Sequence, residues 1–194
     1  MSWLQKKCVV VPIDFSEGSF QAIQVAKEFV EDDSDLHAIH VTQPWSEHEI
    51  GGSWGRQTEE ERLQSIEKVM QEKLQEAGGK NVRIAVHIGS PPVEITKYAQ
   101  EVEAELIVMP SHGKTGLKHF ALGSVAERVV RRAHCPVLVI TRPAGSFWGG
   151  FSRIVFGTDF SGASDVAFDH AARFARALDC ELYMFHAVDI SGMG

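Results

Sequence analysis

Short apolar runs alternate with stretches of helical periodicity along the first 141 residues. Cys8 to Ile13 (CVVVPI) is a valine-rich run of the kind buried on both faces of a parallel sheet, with Pro12 at its end. A helical pattern follows from Ser19 to Val30, with Phe20, Ile23, Ala26, Phe29 and Val30 on its apolar positions, and Leu36 to Val41 reads as a second strand. From Thr42 to Thr58 the periodicity is lost and Pro44, Trp45, Gly51, Gly52, Trp54 and Gly55 collect, the composition of a long loop. Its tryptophans either clamp the loop onto its own domain or serve as a ligand lid or partner contact. Glu59 to Ala77 is a charged helix with Leu63, Ile66, Met70, Leu74 and Ala77 on one face, stopped by Gly78-Gly79.

Val82, Ile84, Val86 and Ile88 alternate with Arg83, Ala85 and His87, which fits a strand at the sheet edge. Val93 to Glu101 is a helix that Pro91 or Pro92 opens, Leu106 to Met109 a fourth strand, Ser124 to Ala133 a helix, and Pro136 to Thr141 a fifth strand. Strict alternation of strand and helix predicts an α/β fold: a five-stranded parallel, doubly wound sheet with helices on both faces. Ligands then lie beyond the carboxyl ends of the strands.

After a linker at residues 143–150, the opening of the chain recurs. Ile154 to Phe160 (IVFGTDF) aligns with Val9 to Phe15 (VVVPIDF), Asp14-Phe15-Ser16 with Asp159-Phe160-Ser161, and, past a one-residue insertion, Leu36 and His40 with Leu182 and His186. Residues 151–194 thus read as a partial second β-α-β module after a first domain at 1–142. So short a fragment cannot bury both faces of two parallel strands, so it must dock or be disordered: it packs on the first domain, is exchanged with another copy, or belongs to a truncated tandem protein. His40 and its counterpart read as packed, hydrogen-bonded strand histidines.

Composition narrows the chemistry. The net charge of −7 leaves no basic footprint for nucleic acid. No apolar run approaches the roughly 20 residues of a membrane helix, and the first residues carry no secretory pattern. Three scattered cysteines, Cys8, Cys135 and Cys180, read as structural thiols of a reducing cytoplasm. Ser124 stands in no G-x-S-x-G elbow, and Asp14 and Glu127 form no evident acid–base pair.

The informative stretch is Leu106 to Val125, LIVMPSHGKTGLKHFALGSV, which runs from a strand through Gly113 and Gly116 to Gly123-Ser124 and a helix. Glycines admit close backbone approach, and a helix start offers free N–H groups and a positive dipole end, the arrangement that holds phosphate. Ser124 followed by Glu127 has the spacing of a capping box. His112 and Lys114 border the loop and could meet an anion.

Taken together, the glycine loop and the Asp14-Phe15-Ser16 opening closely resemble the universal stress protein family, over residues 5–142 and in part over 152–188. The resemblance implies a Rossmann-like sheet of the adenine nucleotide alpha hydrolase type. It also implies, for the nucleotide-binding branch, a loop of the form G-x2-G-x9-G-S/T. Gly113, nine intervening residues and Gly123-Ser124 match the latter part, while Pro110 stands where the first glycine is expected. By the same resemblance Asp14 and Val41 meet the adenine and ribose, with Pro12 beside them and Met109 among the contacts, and Gly113, Gly123, Ser124 and Val125 hold the phosphates. The implied ligand is ATP, with magnesium, serving a cytoplasmic stress response as a structural or signalling ligand with at most slow hydrolysis. A homodimer joined at the edge of the fifth strand is implied as well. The alternative is a nucleotide-free, dimerising interaction module of the same family.

Overall fold

The structure, a computed structural model, describes residues 4–45, 58–112, 122–141 and 151–188. The chain separates into two compact units, residues 2–144 and 145–194. In the first, β1 (Val9–Pro12), β2 (Leu36–Thr42), β3 (Arg83–Ile88), β4 (Leu106–Pro110) and β5 (Val137–Ile140) form a parallel sheet in the order β3-β2-β1-β4-β5. The chain steps outward from β1 to β3, then crosses back to β4 and β5. The order therefore reverses between β1 and β4, the place where open α/β sheets admit ligands.

Among the described residues, four α-helices cover the sheet: α1 (Glu17–Lys27), α2 (Glu59–Glu76), α3 (Pro91–Glu101) and α4 (Ser124–Arg132). Val10, Ile39, Ile107 and Met109 pack against Ile95 and Ala99 of α3 and Ala126 and Val129 of α4 in one core cluster. Because successive strand residues point to opposite faces, Val9 and Val11, both fully buried, require a second layer, and α1 packs there on β1 and β4. This is why the strands read as continuous apolar runs.

Local chemistry sets the helix ends. Ser16 caps α1 by accepting from the Ser19 amide at 3.3 Å, so that helix begins two residues before the first position expected from periodicity. It ends at Lys27; Phe29 and Val30 stay buried, but outside the helix. Thr58 and Glu61 form a reciprocal capping box on α2, with bonds of 3.1 and 2.8 Å. Pro91 and Pro92 open α3 as anticipated. Gly78, at φ 78°, ends α2 in the left-handed conformation that glycine adopts without penalty. β3 lies at the sheet edge, as its pattern suggested.

The second unit is β6 (Arg153–Gly157), α5 (Gly162–Leu178) and β7 (Glu181–Phe185), with β6 and β7 parallel. Its register repeats that of the first unit: Ile154 pairs with Leu182 as Val9 pairs with Leu36. The coverage does not repeat. Val155 and Phe185 are 71% and 60% exposed, whereas their counterparts Val10 and Ile39 are 0% and 1% exposed under α3 and α4. Among the described residues, no helix is long and apolar enough to cross a membrane.

Candidate functional site

The acidic residue of the opening motif is fixed by its neighbours. Asp14 Oδ1 accepts from the Ser16 amide at 3.0 Å and from the Ser16 hydroxyl at 2.5 Å, closing a turn in which Phe15 takes φ 62°. That left-handed conformation costs a non-glycine residue about 1 kcal/mol. The turn is held from the other side by His40, whose Nδ1 donates to the Ile13 carbonyl at 2.7 Å while its ring lies 4.8 Å from that of Phe15. His40 is thus the hydrogen-bonded packing histidine its strand position suggested. The second unit repeats every part. Phe160 has φ 60°, its ring lies 4.5 Å from His186, and His186 Nδ1 donates to the Thr158 carbonyl at 2.6 Å. There, donors from Ser161 hold the Asp159 carboxyl well down, at about 2.

Two prolines open the crevice between β1 and β4. Ile13 donates to Ile39 on the β2 side at 2.8 Å, so alternation along β1 turns Pro12 toward β4. Ile107 and Ser111 donate to Pro136 and Ile140 on the β5 side, so Pro110 turns toward β1. Neither proline has an N–H to give, and the β1–β4 register contains the pairs Val9–Leu106 and Val10–Ile107, whereas β2 and β3 pair over six residues. Pro110 is the last residue of β4, opposite Ile140, not a loop residue. Its effect is to stop a ladder at the switch point.

The start of α4 differs from the expected capping box. The N-cap is Gly123 (φ −62°, ψ 149°), Ser124 is the first helical residue, no side chain caps the end, and the Glu127 carboxylate instead accepts from Arg131 Nε at 3.1 Å. The cause lies one strand away. The Gly123 amide donates to the Ser111 carbonyl at 2.9 Å, so close that a Cβ on residue 123 would meet that oxygen at 2.8 Å. Gly123 therefore does not offer its amide to a ligand, as the loop pattern implied; that bond fixes the junction. The first helical amides, those of Ser124 and Val125, have no acceptor within the helix. Ser111, buried and bonded through its own amide to Ile140 at 2.8 Å, is a positioning residue that the motif did not reveal.

A cleft of about 560 Å³ opens beside this helix start, with Ser124, Val125 and Arg128 on one wall. Gln43 and Pro44, which follow directly on Val41 and Thr42 at the end of β2, form another wall, and Gly89 to Pro92 at the start of α3 the third. Ser124 and Val125 are thus brought together with the exit of β2. Val41 itself packs partly against the core, and Met109 is a core side chain, 4% exposed, which can reach a ligand through its backbone alone. Pro12 and Asp14 lie at the neighbouring end of β1 and not in the cleft lining. Gly113, Gly116, Lys114 and Trp54 lie outside the described residues; His112 Nδ1 stands 3.1 Å from the Ser111 hydroxyl. The entrance loop is tied down at its start: Arg62 Nη2 donates to Thr42 Oγ1 at 2.6 Å and its guanidinium lies 5.6 Å from the Trp45 ring, a clamp onto α2.

Burial pushes the Cys8 thiol up to about 11 and raises that of Cys135, which keeps both protonated and unreactive. Among the described residues, no three His, Cys, Asp or Glu side chains converge where they could hold a metal ion.

The sequence profile described as the universal stress protein family matches residues 6–141 and again 150–194. Universal stress protein MJ0531 of Methanocaldococcus jannaschii is 40% identical over 146 residues, spanning 71% of this chain and 83% of that protein. Universal stress protein MJ0577 of the same organism is 32% identical over 162 residues, 73% of this chain and 98% of its own length. The solved structure of MJ0577 superposes with a TM-score of 0.54 at 31% identity, over 70% of this chain and 96% of that one. A universal stress protein from Archaeoglobus fulgidus matches 97% of this chain with 70% of its own, at a TM-score of 0.64 and 24% identity, a likeness of fold alone. By profile, by sequence and by fold, the chain belongs to the universal stress protein family.

Proposed function

We propose that this protein binds an adenine nucleotide, ATP, as a structural or signalling ligand of a cytoplasmic stress response. The observation that carries this reading is the cleft in which the uncapped start of α4, at Ser124 and Val125, faces the exit of β2 at Gln43 and Pro44. The family resemblance assigns the phosphates to the first wall and the base and ribose to Asp14 and Val41, at the strand ends beside the second. The residues fit the group: a helix start with no side-chain cap supplies amides and a positive dipole end for phosphate. The Ser124 hydroxyl adds a donor there. Asp14, half-buried at the end of β1, has acceptor capacity for ribose hydroxyls or the adenine amino group. Magnesium would arrive on the phosphates, because among the described residues the cleft has no cluster of metal ligands of its own. Bound nucleotide would supply a charged bridge between two strand ends; among the described residues no carboxylate or histidine lines the cleft, so hydrolysis would be slow at best.

Pro110 is compatible with this reading. As the closing residue of β4 it widens the crevice without requiring φ > 0. Isothermal titration with Mg-ATP is the test. Wild type is expected to bind, Ser124→Ala to bind more weakly, and Pro110→Gly to stay within a few-fold of wild type. No heat from wild type, with heat from Pro110→Gly, sinks the proposal for this chain.

The second reading, a nucleotide-free homodimer, is favoured by a separate observation: β5 closes the sheet on one side and its residues are half-exposed. Sedimentation with and without nucleotide separates the two, because the interaction module dimerises equally in both.

A further inference from the structure

We propose that Arg128 reads the phosphate chain of the nucleotide, so that the cleft selects triphosphate over monophosphate; this rests on the nucleotide reading above. Ser124, Val125 and Arg128 line the same wall of the 560 Å³ cleft. Residues four apart lie one above the other on a helix, so Arg128 stands one turn below the phosphate-binding amides and on their side. The other lining residues carry no charge, so the guanidinium is the single cation of the cleft among the described residues.

The remaining walls make its position matter. The start of α3 offers no anion site of its own, because Pro91 and Pro92 have no N–H, and the amides of Val93 and Glu94 already donate to the Ser90 carbonyl at 3.0 Å each. Gln43 and Ser90 can give neutral donors, so a chain of phosphates leaving Ser124 finds its charged donor, among the described residues, at Arg128. Arg128 is also uncommitted. Its neighbour Glu127 pairs with Arg131 at 3.1 Å, and among the described residues no ion pair is recorded for Arg128. An exposed arginine with no ion pair among the described residues can fork onto two phosphate oxygens, a geometry that lysine cannot match.

Arg128→Gln, Arg128→Lys and the control Arg131→Gln should be titrated with Mg-ATP, Mg-ADP and AMP, after melting curves have established that each is folded. Arg128→Gln is expected to weaken ATP about tenfold while leaving AMP unchanged. Arg128→Lys should lie between, and Arg131→Gln should match wild type. Equal loss for ATP and AMP, or no change in their ratio, overturns the role of Arg128 while leaving nucleotide binding intact. A wild type that binds none of the three overturns the nucleotide reading itself, and this inference with it.

Discussion

Gly123 gives its amide to the carbonyl of Ser111 at 2.9 Å, and this one bond ties the exit of β4 to the start of α4. Residue 123 has no room for a side chain, because a Cβ would approach the Ser111 oxygen to 2.8 Å. Gly123→Ala must therefore shift backbone against backbone, at a cost of about 1–3 kcal/mol. Urea unfolding would measure it, with nucleotide affinity falling in parallel. Affinity and stability both equal to wild type would refute the junction.

Gly18 is the contrasting case. A Cβ there would meet Pro110 Cβ at 3.4 Å, an ordinary contact, and the residue lies in the first turn of α1. Gly18→Ala should stabilise the protein by about 0.5 kcal/mol, by restricting the unfolded chain without straining the native one. The same urea titration reads the sign.

Acid should act through His37. Its Nδ1 stands 2.9 Å from the Tyr98 hydroxyl, and burial, helped by Arg83, lowers its affinity for a proton, while burial raises the Tyr98 pKa. Both groups are then neutral and share one hydrogen bond. A folded-state pKa depressed below the usual 6.5 means that the stabilisation is present above that pH and is lost as pH falls through it toward the lower folded value. Wild type should lose stability from pH 7 to 5 more steeply than His37→Gln. Parallel curves for the two would refute the assignment.

Thiol chemistry offers a further check. With its pKa at about 11, Cys8 should resist a disulfide reagent at pH 8 until denaturant is added. Cys8→Ser should abolish that slow phase. Fast labelling of Cys8 in the folded state would contradict its burial.

The second unit should open first. Among its described residues the buried apolar side chains are Phe156 and Ala175, and Val155, Tyr183, Phe185 and Val188 are more than half exposed. Hydrogen exchange in β6, α5 and β7 is expected to run orders of magnitude faster than in β1 and β4. Equal protection would mean that a partner surface covers this face in solution.

Much of this was legible beforehand because it rests on short-range rules. The valine run at Val9–Val11, Pro91-Pro92 at a helix start and Gly78 at a helix end each announce their element through local sterics. The repeat at Asp159-Phe160-Ser161 could likewise be read before its geometry was known. What could not be read depended on partners distant in sequence. Nothing near Ser124 reveals that Gly123 is held by Ser111, so the cap was placed one residue late. Pro110 reads as a broken loop glycine, because its role appears only once β1 and β4 are seen to part beyond Val10 and Ile107. Met109 matched a binding motif, yet its side chain belongs to the core. Arg128 carries no motif at all; a cleft had to be seen for it to matter.

The turn at Asp14, Phe15 and Ser16 recurs at Asp159, Phe160 and Ser161 with the same left-handed phenylalanine and the same histidine latch, although the described residues of the second copy form two strands where the first forms five. The pose of the aspartate is therefore prescribed within a single β-α-β segment. Such a segment is a self-sufficient unit of shape: its turn and latch are carried from one copy to the next without help from the rest of a sheet.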